Sequence, residues 1–143
     1  MAKFLDRLAQ ITYCRLGVSD LPKAGVGVIA VRDIPKGVNP FAYARNRCNL
    51  HHEETIRVHR DDLAETPLYL RKLVIDFVYP DQDGYYDIPA DGLNCLDISF
   101  YLNNSQDPNL DVVDGGCNLL EFRTNRRIRK GEELLIDYDD YKY

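Results

Sequence analysis

The run Ile128-Arg129-Lys130-Gly131-Glu132-Glu133-Leu134-Leu135-Ile136-Asp137-Tyr138 divides at its glycine into a turn and a strand. A tight reversal needs a residue without a Cβ, which Gly131 supplies, and Leu134 to Tyr138 is short and apolar as a buried strand is. Working backward, Leu119 to Phe122 and Val112-Val113 read as further strands with Gly115-Gly116 between them. Leu96 to Leu102 is apolar enough for a short buried helix or a strand, and its period does not decide which. Nearer the start, the alternation Ile11, Tyr13, Arg15 suggests a strand that ends by Asp20. Leu21 to Gly25 is then a turn, Val26 to Val31 a strand, Ile34-Pro35-Lys36-Gly37 a turn and Val38 to Ala44 a strand. Helices are few. Residues 3 to 9 place Phe4, Leu5 and Leu8 on one side, and Asp61 or Asp62 can cap a turn of helix. Thr66 is expected as an N-cap before Pro67 at the first helical position, with Leu68, Leu70, Leu73, Val74 and Phe77 following. The expected architecture is mainly β.

The chain has 143 residues, 45% apolar and 29% charged, without linker, low-complexity segment or internal repeat, so a single domain spanning 1–143 is expected. Its 23 acidic and 18 basic side chains give a net charge of −5, a field that repels phosphates and favours basic partners. Direct nucleic-acid binding is therefore not expected. No apolar run approaches the roughly 18–20 residues of a membrane span, and MAKFLDRLAQ has no continuous apolar stretch of the secretory kind. The expectation is an intracellular protein, cytoplasmic or nuclear, with no membrane partner; a homodimer is left open. Cys14, Cys48, Cys95 and Cys117 contain no CxxC pair and read as reduced core thiols.

Several catalytic patterns fail on context. Gly25-Val26-Gly27-Val28-Ile29-Ala30 matches the dinucleotide fingerprint, but β-branched residues and a Pro-Lys-Gly turn follow where that fingerprint requires a helix. Ser19, Ser99 and Ser105 lie in no G-x-S-x-G motif, and no P-loop lysine follows a glycine pair. Cys48, His51, His52 and His59 form a metal-like cluster, for which solvated histidines in a polar loop are the commoner explanation, so no metal is expected. The acids Glu132, Glu133, Asp137, Asp139 and Asp140 read as a solvated face, because alternate residues of a strand point to opposite sides.

Three separated segments, taken in order, resemble the SET-domain family of protein lysine methyltransferases. Gly25 to Ala30 with Asp33-Ile34-Pro35-Lys36-Gly37 resembles the family's opening strand and turn, G-x-G-[VL]-[FI]-A … I-x-x-G. Tyr101-Leu102-Asn103-Asn104-Ser105-Gln106-Asp107-Pro108-Asn109 is similar to F-[IL]-N-H-S-x-x-P-N, and Ile128 to Tyr138 to I-x-x-G-E-E-L-x-x-D-Y. The resemblance covers residues 11–44 and 96–138; it makes 11–44 and 96–143 two parts of one core and leaves 45–95 as a variable insert. It implies a β-clip-like fold of several small curved sheets with a few short helices, in which the segment after Gly131 makes a knot-like crossing near the loop carrying Asn103.

The implied reaction is methyl transfer from S-adenosylmethionine to the side-chain amine of lysine in a basic protein segment such as a histone tail. In-line displacement requires a neutral amine held on the axis of the methyl group, and a dry aromatic channel helps a lysine of ordinary pKa about 10.4 lose its proton. By resemblance Tyr138 is the catalytic tyrosine and Tyr43 a second channel tyrosine, although Tyr43 lacks the family's E-x-G-E flank. Gly25, Val26 and Gly27 would present backbone to the cofactor, and Asn103 would hydrogen-bond its amino-acid end. Asn104 stands where the family commonly has histidine, a residue that serves the adenine mostly through its backbone. Ile136 occupies the place of the Phe or Tyr that tunes the number of methyls; without a hydroxyl it permits di- or trimethylation. Tyr101 and Tyr141 are further channel candidates, Tyr141 because no cysteine-rich zinc segment is present to close the channel. The alternative is an idle SET-fold module that binds a basic peptide or cofactor without turnover.

Overall fold

The computed structural model describes residues 2–42, 55–114 and 120–141, and in it the segment 128–138 forms a turn at Gly131 followed by a strand over Glu133–Ile136. In chain order the elements are α1 (Ala2–Ile11), β1 (Cys14–Val18), β2 (Val26–Ala30), β3 (Thr55–His59), α2 (Arg60–Ala64), α3 (Leu68–Phe77), β4 (Tyr85–Pro89), β5 (Asn103–Asn104), β6 (Leu110–Asp114), β7 (Leu120–Thr124) and β8 (Glu133–Ile136). Short 3-10 turns cover Leu93–Cys95, Ile98–Tyr101 and Tyr138–Tyr141.

The main sheet has the order β1-β2-β8-β5, antiparallel except for the last pair. There β5 runs parallel to β8, with Asn103 opposite Leu135 and Asn104 opposite Ile136. Two antiparallel pairs, β3-β4 and β6-β7, stand apart from it. Val28, Leu134 and Ile136 of the central strands pack with Ile34, Leu102, Leu110, Phe122 and Ile128 into one core. Burial of each such aliphatic side chain contributes about 1.5–3 kcal/mol, so this core holds the sheet to the β6-β7 pair. A second, smaller core of Leu63, Val74, Val78 and Tyr86 lies within the segment expected as the insert.

Two turns mirror each other. Ile34 and Ile128 donate backbone N–H groups to one another's carbonyls, at 2.8 and 3.0 Å, and both side chains are fully buried. Gly37 then donates to Thr124 at the end of β7, and Gly131 donates to Ala30 at the end of β2. Both glycines take left-handed φ, +82° and +90°, which a side chain would strain.

The structure corrects several local expectations. Ile11 ends α1 instead of opening a strand, so β1 begins at Cys14. Residues 38–42 are not a strand: Val38 exchanges hydrogen bonds with Thr124, after which the Asn39 side-chain oxygen accepts from Phe41 N at 2.9 Å and turns the chain at Pro40. Residues 43 and 44 of that expected strand lie outside the described residues. His59, not an aspartate, caps α2; Asp61 and Asp62 occupy its first turn, where carboxylates complement the helix dipole. Thr66 donates its hydroxyl back to Leu63 O at 2.7 Å, so Pro67 takes the cap position and α3 starts at Leu68. The apolar run at 96–102 resolves into a 3-10 turn whose cap is Asp97, accepting from Ser99 N. Cys95 is exposed, unlike the core thiol expected: the 3-10 turn after Gly92 packs Leu93 against the small core and leaves Cys95 at the surface; Cys14 is buried. Cys48 and Cys117 lie outside the described residues.

Candidate active site

The parallel β5-β8 pair brings together three of the quoted segments at one end of the main sheet. Asn103 donates its side-chain amide to Val26 O at 2.9 Å and to Glu133 Oε1 at 2.8 Å. The other carboxylate oxygen, Glu133 Oε2, accepts from Ser19 Oγ at 2.8 Å, and Ser19 Oγ accepts in turn from Leu21 N at 3.1 Å. Gly27 faces this group so closely that a Cβ there would stand 2.1 Å from Glu133 Oε1. Gly25 takes φ +74° in open space, and its carbonyl closes the β1-β2 loop by accepting from Ser19 N at 3.0 Å. Val26 and Gly27 thus lie against Asn103.

Asn104 is tied to the candidate catalytic residue: its side-chain oxygen accepts from Tyr138 N at 2.8 Å. The Tyr138 hydroxyl donates to Leu102 O at 2.8 Å, one residue before β5. Partial burial pushes the Tyr138 phenol above its ordinary value of 10.0, because removing water disfavours the phenolate. A 3-10 turn at 138–141 carries Tyr138 off the end of β8; Asp137 starts it by accepting from Asp139 N at 2.9 Å. The expected strand therefore ends at Ile136 and not at Tyr138.

Two aromatic residues missed in the sequence meet this site from the insert. Tyr79, just beyond α3, lies with its ring centroid 6.0 Å from that of Tyr138. Phe77, the last residue of α3, meets Tyr101 edge-on at 5.2 Å. Val78 is extended and buried in the small core, against which Phe77 also packs, so Phe77 links that core to Tyr101. Ser19 and Glu133 were also missed as site residues: neither belongs to a catalytic pattern, and only the sheet register places them together.

Asn109, expected to shape its loop, is 2% exposed and clamps β8: its Nδ2 donates to Glu133 O and its Oδ1 accepts from Leu135 N, both at 2.8 Å. Ser105 contributes by donating its N–H to Ile136 O and accepting from Asp107 N. Ile136 is 1% exposed and packed within the main core. Tyr43 and the side chain of Tyr141 lie outside the described residues. So do Cys48, His51 and His52; His59 caps α2 and meets Tyr85 edge-on. Among the described residues there is no group of three metal-ligating side chains, and no helix is long and apolar enough to cross a membrane.

Comparison with known proteins gives the arrangement its context. A crystal structure from Plasmodium falciparum, of a protein provisionally named a histone methyltransferase, is similar in fold: TM-score 0.50 and 21% identity, over 89% of this chain and 93% of that one. No curated protein sequence matches. The SET-domain family profile matches residues 25–139, from the glycine turn before β2 to the residue after Tyr138. With most of its length covered by that match, this chain belongs to the SET-domain family.

Proposed function

We propose that the protein transfers the methyl group of S-adenosylmethionine to the side-chain amine of a lysine in a basic protein segment such as a histone tail. The observation that carries this reading is the two-residue strand β5. Asn103 sits in the glycine-lined cradle, its neighbour Asn104 holds the backbone of Tyr138, and Leu102 holds the Tyr138 hydroxyl. One short strand thus ties a cofactor-binding candidate to the catalytic candidate.

The residues present fit a cationic cofactor. The carboxamide of Asn103, whose nitrogen is engaged by Val26 O and Glu133, supplies its oxygen as an acceptor, the Glu133 carboxylate lends the surroundings negative charge, and Gly25 borders open space. When bound, S-adenosylmethionine supplies a methyl group on a positively charged sulfur, which a neutral amine displaces. Gly25, Val26, Gly27, Asn103 and Asn104 are the residues proposed to hold it. Tyr138 does not act as a base near neutral pH: its phenol titrates above 10.0 and its proton is committed to Leu102 O. Its oxygen instead offers lone pairs to an amine N–H and so orients the nucleophile. Tyr101, Tyr43 and Tyr141 are proposed to line the channel with it, and a lysine entering such an aromatic enclosure loses water and with it some affinity for its proton. Ile136 lies beneath this wall, within the core.

Incubation of the purified protein with labelled S-adenosylmethionine and a panel of basic proteins tests the reading, with Tyr138→Phe in parallel. Transfer to a lysine-rich substrate is expected, reduced by about a hundredfold in the variant, where the amine loses the hydroxyl that orients it. Cofactor binding by calorimetry without transfer to any substrate would favour the idle module; absence of binding would overturn both.

A further inference from the structure

We propose that Glu133 is a positioning residue of the cofactor site: it fixes the Asn103 carboxamide so that the side-chain oxygen, not the nitrogen, is presented to the ligand. The inference rests on the cofactor reading above and names the part of the cofactor concerned. The Asn103 nitrogen has two hydrogens, and two acceptors meet it, Val26 O at 2.9 Å and Glu133 Oε1 at 2.8 Å. Neither acceptor can donate. Turning the amide over would set its oxygen against a carbonyl and a carboxylate, an arrangement without any hydrogen bond. Both donors are therefore engaged within the protein, and Oδ1 is left as an acceptor. The chemistry that such an oxygen recognises is a positively charged N–H donor, which is the α-ammonium group at the amino-acid end of S-adenosylmethionine.

The carboxylate is itself immobilised. Ser19 Oγ donates to Glu133 Oε2 at 2.8 Å and is fixed by accepting from Leu21 N, so the β1-β2 loop secures one carboxylate oxygen and Asn103 engages the other. The missing Cβ of Gly27 is what admits the carboxylate, since that atom would collide with Oε1. Residues from three segments, Ser19 before the turn, Gly27 in β2 and Glu133 in β8, thus converge on the orientation of one amide.

The test is titration calorimetry of the full chain with two probes, S-adenosylmethionine and 5′-deoxy-5′-methylthioadenosine, which lacks the amino-acid end. Glu133→Ala frees the Asn103 amide and is expected to weaken S-adenosylmethionine by about tenfold or more while leaving methylthioadenosine unchanged. Glu133→Gln still offers a carbonyl oxygen to Asn103 and should restore binding to within a few-fold of the parent. Asn103→Ala combined with Glu133→Ala should weaken binding no further than Asn103→Ala alone. Equal weakening of both probes would mean that Glu133 only supports the fold and would overturn the proposal, as would unchanged binding of both. Loss in Glu133→Gln equal to that in Glu133→Ala would show that the charge contacts the ligand directly, and the positioning role would fail. If Glu133→Ala does not fold, Ser19→Ala removes the second support and should show the same selectivity between probes, in milder form. A parent chain that binds neither probe refutes the cofactor reading, a result distinct from all of these.

Discussion

Cys14 and Cys95 carry the same thiol in opposite surroundings. Burial pushes the Cys14 thiol up to about 12, with a smaller contribution from the negative charge of Asp97, whereas Cys95 is exposed and its Sγ donates to Gly92 O at 2.9 Å. Near pH 8 the thiolate population of Cys14 is on the order of a thousandfold below that of a thiol at the ordinary 9.0, before access is considered. Iodoacetamide should therefore modify Cys95 in the folded protein and reach Cys14 only after denaturation, as read by peptide mass spectrometry; equal labelling of the two would contradict the burial of Cys14. Sequence spacing excluded a paired metal motif but could not separate these two thiols. What distinguishes them is a surface 3-10 turn at one and a strand facing the main core at the other, and neither follows from the identity of the cysteine. The same limit applied to Glu133, which reads as one more acid in a charged run until the register sets it against Gly27 and Asn103.

At the scale of the element, β8 depends on a side chain from another segment. Asn109 replaces a strand partner there by donating to Glu133 O and accepting from Leu135 N, while its own N–H donates to Leu135 O at 3.1 Å. Asn109→Ala would leave buried backbone groups of β8 without partners, at about 1–3 kcal/mol for each group that water does not reach, so the urea midpoint should fall clearly. Beyond the strand, the 125–133 turn carries a pH dependence. Burial alone would raise the Glu132 carboxyl, but the Arg126 guanidinium and the Arg129 N–H outweigh it and bring it below the usual 4.5. Asp33, at the surface, is lowered from 3.8 by the Lys130 N–H and by Arg127. Carboxyls lowered in the folded state stabilise it fully above their unfolded values, and that contribution is lost as pH falls from those values toward the folded ones. The urea midpoint should accordingly drop as pH passes below 4.5, and Glu132→Gln should reduce the drop. Strands β2 and β8 were legible because each is a short apolar run beside a turn with a required glycine. Strand β5 was not: two residues have no period, and its partner lies about 30 residues on, set by core packing. The mirrored Ile34 and Ile128 turns were likewise read singly, since their relation lies in hydrogen bonds between them and not in any repeat long enough to see.

On the scale of the whole chain, the described residues pack around two separate hydrophobic cores. Leu63, Val74, Val78 and Tyr86 pack among residues of 58–93, while Val28, Leu134 and Ile136 belong to the main core. The ring contacts Phe77–Tyr101 and Tyr79–Tyr138 join the parts beside the candidate catalytic tyrosine. A cavity made in the small core should thus act locally, and one made in the main core globally. Val74→Ala removes two methyl carbons from a side chain 1% exposed and should cost on the order of 1–3 kcal/mol. Hydrogen exchange read by mass spectrometry should show faster exchange across β3, α3 and β4 with little change in β2 and β8. Leu134→Ala, at about 2–5 kcal/mol, should accelerate exchange throughout the main sheet. If Val74→Ala instead accelerated both regions equally, the two cores would unfold as one unit. Local loosening has a functional corollary under the proposed activity. Tyr79 would lose its fixed place against Tyr138 while the Asn103 cradle kept its own hydrogen bonds, so Val74→Ala should impair methyl transfer more than cofactor binding. Measuring both in the same preparation separates damage to the aromatic wall from damage to the cradle, because a variant that merely lowered the folded fraction would reduce the two in proportion.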